Sequence, residues 1–252
     1  MAALRCGIGL AGGDAGVAGR MLGGVIAAAA LAGCTVPVAP PAAAPPPADF
    51  AGAPSAEQAA RTFVYVVDRV VPVAEAICLE RTRDVPCSFQ IAIDERPGQA
   101  PNAFQTLDDQ GNPIIAFNIP LLMDIRNPDE LAFVMGHETA HHIAGHIARQ
   151  QTGMMQGALV AGALATLGGG DEAAIRAAQD MGAELGARRY SKGFELEADA
   201  LGTEIAWRAG FDPLVGAQFF SRLPDPGNRF LGTHPPTAQR YEVVAQTMQR
   251  LR

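Results

Sequence analysis

Residues 137–141 read His137-Glu138-Thr139-Ala140-His141. Two histidines four apart on a helix lie about 40° apart around its axis, one turn from each other. Both imidazoles then reach one Zn²⁺ ion, and Glu138 reaches a water bound to it. Zinc lowers the pKa of bound water to about 7, and a neighbouring carboxylate can take the proton. The stretch therefore supplies two metal ligands and a general base for metal-assisted hydrolysis. The bare pattern also occurs on ordinary helices, so its surroundings matter. Asn127 is a good N-cap, Pro128 suits the first helical position, and Glu130 can close a capping box. Leu131, Phe133, Val134, Ile143 and Ile147 follow in an apolar helical pattern, with no proline between 129 and 150. The motif is thus expected in mid-helix.

A zinc site of this kind needs a third protein ligand. His146 lies five residues after His141, about 140° further round a continuous helix, and is expected to point away from the metal. His142 is off the ligand face as well. Both read as packing or surface histidines. Downstream, Glu195-Leu196-Glu197-Ala198-Asp199 places Glu195 and Asp199 four apart on one helix face. Glu195 can bind the metal while Asp199 holds a ligating histidine in one tautomer. Glu197 falls about 200° from Glu195 and is expected to face elsewhere.

Around these helices the pattern is mixed. Ser55 can cap a helix over about 56–80, which Pro72 should kink or divide in two. Phe89, Ile91 and Ile93 alternate with Gln90 and Ala92 as in a strand, Ala103-Phe104 is a second candidate strand, and Ile114–Asn118 a third. The expected fold is α+β, mainly helical, with a small antiparallel sheet beside the motif helix. From 152 to 170 the chain is apolar and glycine-rich but too interrupted for a membrane span. It reads as a buried helical hairpin or core helix, or else as a lid or a surface that meets a membrane or partner. A long helical stretch is expected from Asp171 to about Arg208, and another helix from Pro236 to Leu251.

The N-terminus reads as a targeting segment. Arg5 and Arg20 precede a short apolar run, Met21–Leu31, too short to span a bilayer as an ordinary helix. It ends in Leu31-Ala32-Gly33-Cys34, which resembles a bacterial lipobox, with Cys34 as the lipidated first residue of the mature chain. The alternative is a plain secretory signal with an incidental cysteine. Thr35 after the cysteine favours the outer membrane, facing the periplasm, by the sorting rule for such lipoproteins. The expected organisation is a signal at 1–33, the lipidated cysteine with a Pro/Ala-rich tether at 34–54, and one domain at 55–252. Removing the signal leaves about 220 residues, enough for one sizeable core. The chain carries a net charge of −7 and no basic stripe, which argues against nucleic acid. Of its four cysteines, Cys78 and Cys87 remain in the body, either paired across a short loop in an oxidising compartment or as two buried thiols.

Together the stretches 137–141, 195–199 and Thr233-His234-Pro235-Pro236-Thr237-Ala238-Gln239-Arg240 resemble the zinc metallopeptidases of the HtpX and CAAX-prenyl-endopeptidase type. The nearest likeness is to their soluble periplasmic BepA/LoiP-like branch. Asn102-Ala103-Phe104 is similar to the start of the strand that flanks the family's active site, although the turn that follows is longer and acidic here, leaving the strand's register open. The resemblance implies a zincin-like fold, His137, His141 and Glu195 as Zn²⁺ ligands, Glu138 as catalytic base and Asp199 as the partner of a ligand. It also implies that His234 approaches the site, to stabilise an oxyanion or to plug the open metal position, and that Arg240 braces it. Polypeptide substrates would add as a strand near Asn102. The implied role is quality control of misfolded or misassembled envelope proteins. The alternative is a chaperone or assembly factor working with the outer-membrane assembly machinery, with proteolysis restrained.

Overall fold

A computed structural model describes residues 52–189, 191–223 and 235–252. Cys34, the targeting segment, nearly all of the tether and His234 lie outside the described residues.

Helix α1 (Ala56–Arg81) starts at a complete capping box between Ser55 and Gln58. No second helix begins at Pro72. Val66 and Val70 before it and Ala74 and Ile77 after it are all buried, so packing on both sides carries the helix through the missing hydrogen bond. Thr82 ends α1, and a disulfide joins Cys78 in its last turn to Cys87, with Cα atoms 5.7 Å apart.

Three strands follow: β1 (Gln90–Asp94), β2 (Ala103–Leu107) and β3 (Pro113–Asn118). The sheet is mixed, not antiparallel. Its order is β1-β3-β2, with β2 antiparallel and β1 parallel to β3. The alternation of apolar residues is the same in both cases; direction comes from the connection. Residues 95–102 carry the chain past the place β3 will occupy, so β2 becomes an edge strand. Its register is set at both ends. Asp108 Oδ1 accepts the backbone N–H groups of Gln110 and Asn112 in the turn, where Gly111 has φ 83°. At the other end Asn118 Oδ1 accepts the N–H of Asn102 at 3.0 Å, and Asn118 Nδ2 donates to the carbonyl of Ala100 at 2.6 Å. Ala103 thereby faces Phe117, and Phe104 faces Ala116.

After the short helix α2 (Ile119–Asp124), helix α3 (Pro128–Ile143) runs through the centre of the molecule, capped by Asn127. Leu131, Ala132, Phe133, Met135 and Ala140 are buried on several of its sides. Gly145, at φ 66°, stops α3, and α4 (His146–Leu167) begins in a new direction. Helices α4 and α5 (Glu172–Arg189) form a hairpin whose backbones nearly touch. A Cβ on Gly186 would lie 2.1 Å from the carbonyl oxygen of Gly153, and one on Gly182 would lie 2.2 Å from that of Gly157. The hairpin is not buried: Met155, Leu159, Val160, Leu164 and Leu167 are exposed, Leu167 by 85%. No helix among the described residues is long and apolar enough to cross a membrane.

The stretch from Asp171 to Arg208 is two helices, α5 and then α6 (Ser191–Arg208). Helix α6 crosses α3 at a glycine pair. A Cβ on Gly202 would lie 2.7 Å from the backbone nitrogen of His137, and one on Gly136 would lie 2.8 Å from the carbonyl oxygen of Gly202. Helix α7 (Pro213–Gly216), a 3₁₀ segment (Ala217–Arg222) and α8 (Thr237–Leu251) complete the body.

Candidate active site

The glycine crossing brings the inward face of α6 against the middle of α3. Glu195, Asp199 and Gly202 share that face, at spacings of four and three residues. The close approach lets short carboxylate side chains reach the motif histidines. His137 Nε2 lies 3.8 Å from Glu195 Oε2, His141 Nε2 lies 3.5 Å from Glu195 Oε1, and the two Nε2 atoms are 3.0 Å apart. Ligand atoms of the three residues all fall within 4.8 Å of one another.

These side chains fit a metal ion. Donors about 2.0–2.1 Å from a tetrahedral zinc are about 3.3 Å from each other, inside the range of the three distances. The hydrogen bonds behind the rings make the same point. His137 Nδ1 is 2.9 Å from Asp199 Oδ1. An ionised carboxylate only accepts, so Nδ1 carries a proton, which leaves Nε2 as the atom that can offer a lone pair to a metal. That Nε2 atom lies 3.0 Å from His141 Nε2, so the two nitrogens that would meet a metal face each other.

Asp199 is fully buried, and Arg240 of α8 grips it with two hydrogen bonds, Nε to Oδ2 at 2.8 Å and Nη2 to Oδ1 at 2.6 Å. The Arg240 guanidinium stacks on Phe220, 3.7 Å from its ring centre. Burial alone would raise the Asp199 pKa, but hydrogen bonds from Arg240 and His137 outweigh it and hold the carboxyl below its ordinary range. For His137, burial opposes the charged ring, yet Asp199 keeps its pKa above the usual imidazole value. His141 goes the other way, pushed down to about 3 by burial first and then by the charge of His137. It is therefore a neutral imidazole, the form that ligates metal.

Glu138 opens onto a cavity of about 370 Å³ that also meets His137, His141 and Glu195. Burial raises its pKa, and the nearby Glu195 charge adds to that; the positive field of His137 and a backbone hydrogen bond from Gln105 oppose it. One wall of the cavity is β2, with Asn102, Ala103, Phe104 and Gln105. Another is apolar, with Phe219, Phe220 and Leu223. Thus the structure draws together Glu138, the three ligand candidates, Asp199, Arg240 and the residues 102–104, while His234 lies outside the described residues.

Two histidines sit differently from the sequence expectation. His142 does leave the ligand face: its Nε2 donates to the carbonyl of Pro86 at 2.7 Å, beside the disulfide loop, and its ring meets Phe89 edge-on. His146 does not point away. The expected 140° offset holds only for a continuous helix, and Gly145 ends α3 one residue earlier. His146 is 4% exposed, with Nδ1 2.8 Å from His141 Nδ1 and Nε2 3.3 Å from Glu197 Oε2. Glu197 takes its partners from α4, with Arg149 donating to it at 2.8 Å. The signal in the sequence was Gly145, a helix stop directly before a histidine.

Known proteins resemble this chain over part of its length. A protein of Yersinia pestis, the beta-barrel assembly-enhancing protease, is 30% identical over 122 residues, 43% of this chain and 25% of its own length. A protein of Vibrio cholerae with the description "Putative beta-barrel assembly-enhancing protease" is 34% identical over 129 residues, covering 48% of this chain and 26% of its own. The mitochondrial metalloendopeptidase OMA1 of Arabidopsis thaliana is 30% identical over 130 residues, 50% of this chain and 26% of its own. The matched part is thus about a quarter of the length of these relatives. The model of Peptidase family M48 matches residues 67–248, from the middle of α1 to the last turn of α8. Every residue of the metal cluster and its buried support falls within that match, and the chain belongs to Peptidase family M48.

Proposed function

We propose that the protein is a zinc-dependent endopeptidase of the bacterial cell envelope that cuts misfolded or misassembled envelope proteins. The observation that carries this reading is the convergence of His137, His141 and Glu195 within 4.8 Å, with Glu138 beside them on an open cavity. His137 and His141 would hold the ion through Nε2, and Glu195 through its carboxylate. A zinc ion bound there supplies Lewis acidity and lowers the pKa of water. Glu138 takes the proton of the attacking water at its carboxylate and delivers it to the departing amine nitrogen. Its raised pKa suits both steps, since a base that must later act as an acid works best when it is not too weak. Strand β2 has no strand on its outer side among the described residues, and it lines the cavity. A substrate chain adding there as a further strand would present its backbone to Glu138, with little demand on its side chains. That breadth of recognition suits a protease that disposes of misfolded chains.

The names of the Yersinia and Vibrio relatives support a link to assembly of outer-membrane β-barrels. The lipobox-like sequence ending at Cys34 supports a lipid anchor, and Thr35 supports the outer membrane facing the periplasm. A tether over 34–54 would hold the domain off the surface. By the resemblance, His234 would stabilise an oxyanion or plug the open metal position. The test measures bound metal and casein cleavage in the wild type and in Glu138→Gln. The expected result is about one zinc per chain in both, with hydrolysis in the variant reduced at least about 100-fold. A variant that cleaves casein at the wild-type rate would sink the mechanism.

A further inference from the structure

We infer that His146 is a positioning residue for the ligand His141, and that Glu197 sets the orientation in which it works. The inference rests on the proposed metal site and adds a second support to it, parallel to Asp199 behind His137.

The argument is one of proton counting. The Nδ1 atoms of His141 and His146 are 2.8 Å apart, so one donates and the other accepts. His146 Nε2 faces the carboxylate oxygen of Glu197 at 3.3 Å, and Arg149 holds that carboxylate at 2.8 Å. A carboxylate paired with a guanidinium accepts only. His146 therefore carries a proton on Nε2, and as a neutral ring it has a bare Nδ1. It follows that His141 carries its proton on Nδ1, which leaves Nε2 as a lone pair aimed at His137 and Glu195. If His146 held the opposite tautomer, His141 would point an N–H at the metal position and could not ligate. The chain Arg149–Glu197–His146–His141 thus fixes a proton two rings away from where it is set.

The geometry is held as well as the proton. The His146 ring stacks on Phe194, with centres 4.5 Å apart and planes 14° apart, and meets His141 edge-on at 4.8 Å. Arg149 lies 4.4 Å from the centre of the same Phe194 ring. Because Gly145 breaks the helix, His146 opens α4 and its ring can turn back toward His141. The two ligating histidines are therefore supported unequally. His137 leans on a buried carboxylate, and His141 leans on a neutral ring whose charge partner is nearer to solvent.

Two variants separate positioning from packing. His146→Phe keeps a flat ring against Phe194 but has no acceptor. His146→Asn loses the ring but can place its Oδ1 near the position of Nδ1. Zinc affinity is read by competition with a chelator, alongside melting of the metal-free protein. The expected outcome is a 10- to 100-fold loss of affinity in the Phe variant and recovery of most of it in the Asn variant. Equal loss in both, or none in the Phe variant, would overturn the proposal. The tautomer is read without metal, by nitrogen NMR of the metal-free full chain labelled only at its five histidines. His141 should carry its proton on Nδ1 in the wild type; a proton on Nε2 alone would overturn this inference even if zinc binds well. Wild-type protein that shows the Nδ1 tautomer but binds no zinc would overturn the metal reading instead.

Discussion

Asp199 is a charge with no access to water, and it survives burial because both its oxygens are used. One oxygen takes His137 and an Arg240 nitrogen, and the other takes a second nitrogen of the same arginine. Removing one partner from such a buried pair typically costs about 3–5 kcal/mol, because the other charge is left without compensation. Asp199→Asn should therefore lower the stability of the metal-free protein and weaken zinc binding about 10- to 100-fold by loosening His137. The effect should depend on pH in a defined direction. The folded-state pKa of Asp199 is depressed, so its stabilisation is fully present above the unfolded value of about 3.9. It is lost as pH falls through the lower folded value. Melting of the wild type and the Asn variant at a series of pH values should show a wide gap near pH 6 that begins to narrow as pH falls below about 4. A gap that stays constant to pH 3 would mean that the charge of Asp199 does not matter to the fold. At this scale the sequence was largely legible: spacing alone put Glu195 and Asp199 on one face and two histidines on another. It could not show that Glu197 matters, since a carboxylate gains meaning only from its partner, and His146 and Arg149 come from a different helix 48 residues or more away.

At the scale of elements, the site exists because α3 and α6 approach closely, and they do so at Gly136 and Gly202. Gly202→Ala would put a methyl group 2.7 Å from a backbone nitrogen and 2.9 Å from the Cα of His137. Backbone cannot yield as a side-chain tip can, so the helices must move apart. We expect a loss of about 1–3 kcal/mol and weaker zinc binding, because Asp199 and Glu195 ride on the displaced helix. Gly193, on the same helix, is the control. A Cβ there meets nothing within 4 Å, and Gly193→Ala should stabilise α6 by about 0.5–1 kcal/mol without touching the metal. Thermal melts with and without zinc measure both; a Gly202 variant that behaves like the Gly193 variant would refute the role of the crossing. Caps and turns were readable beforehand because their signals are local. Asn127 and Ser55 start helices as expected, and the cluster at 108–112 turns the chain between β2 and β3. The parallel pairing of β1 with β3 was not readable, and Gly145 was a signal too weak to be read by itself. A period of two carries no direction, and an isolated glycine marks a stop only when the following residues find something to pack on elsewhere.

At the scale of the whole molecule, one core binds α1, the sheet, α3, α6 and the 3₁₀ segment into a single unit, and the α4–α5 hairpin stands apart from it. Among the described residues, none of the apolar residues of that core comes from α4 or α5. Apart from His146, the buried residues of α4 are the glycines at 153 and 162, so the hairpin is held mainly by close contact at small residues rather than by large apolar side chains. The apolar composition that suggested burial in the sequence is instead displayed on the surface, because small residues let two helices pack closely while the larger ones point outward. This arrangement predicts that the hairpin is separable. The backbones at Gly153 and Gly186 are in contact, so a turn of a few residues can join them and replace everything between. The part of α4 that carries His146, Ile147, Arg149 and Gln150 would remain, and with it the cavity wall and the support of His141. The shortened protein should fold, melt within a few degrees of the parent and bind zinc with affinity within about threefold, while exposing less apolar surface to a hydrophobic dye. Collapse of the melt, or loss of zinc, would show that the hairpin contributes to the core after all. A shortened protein that keeps zinc and casein cleavage would confine the hairpin's role to events outside the bond-breaking step.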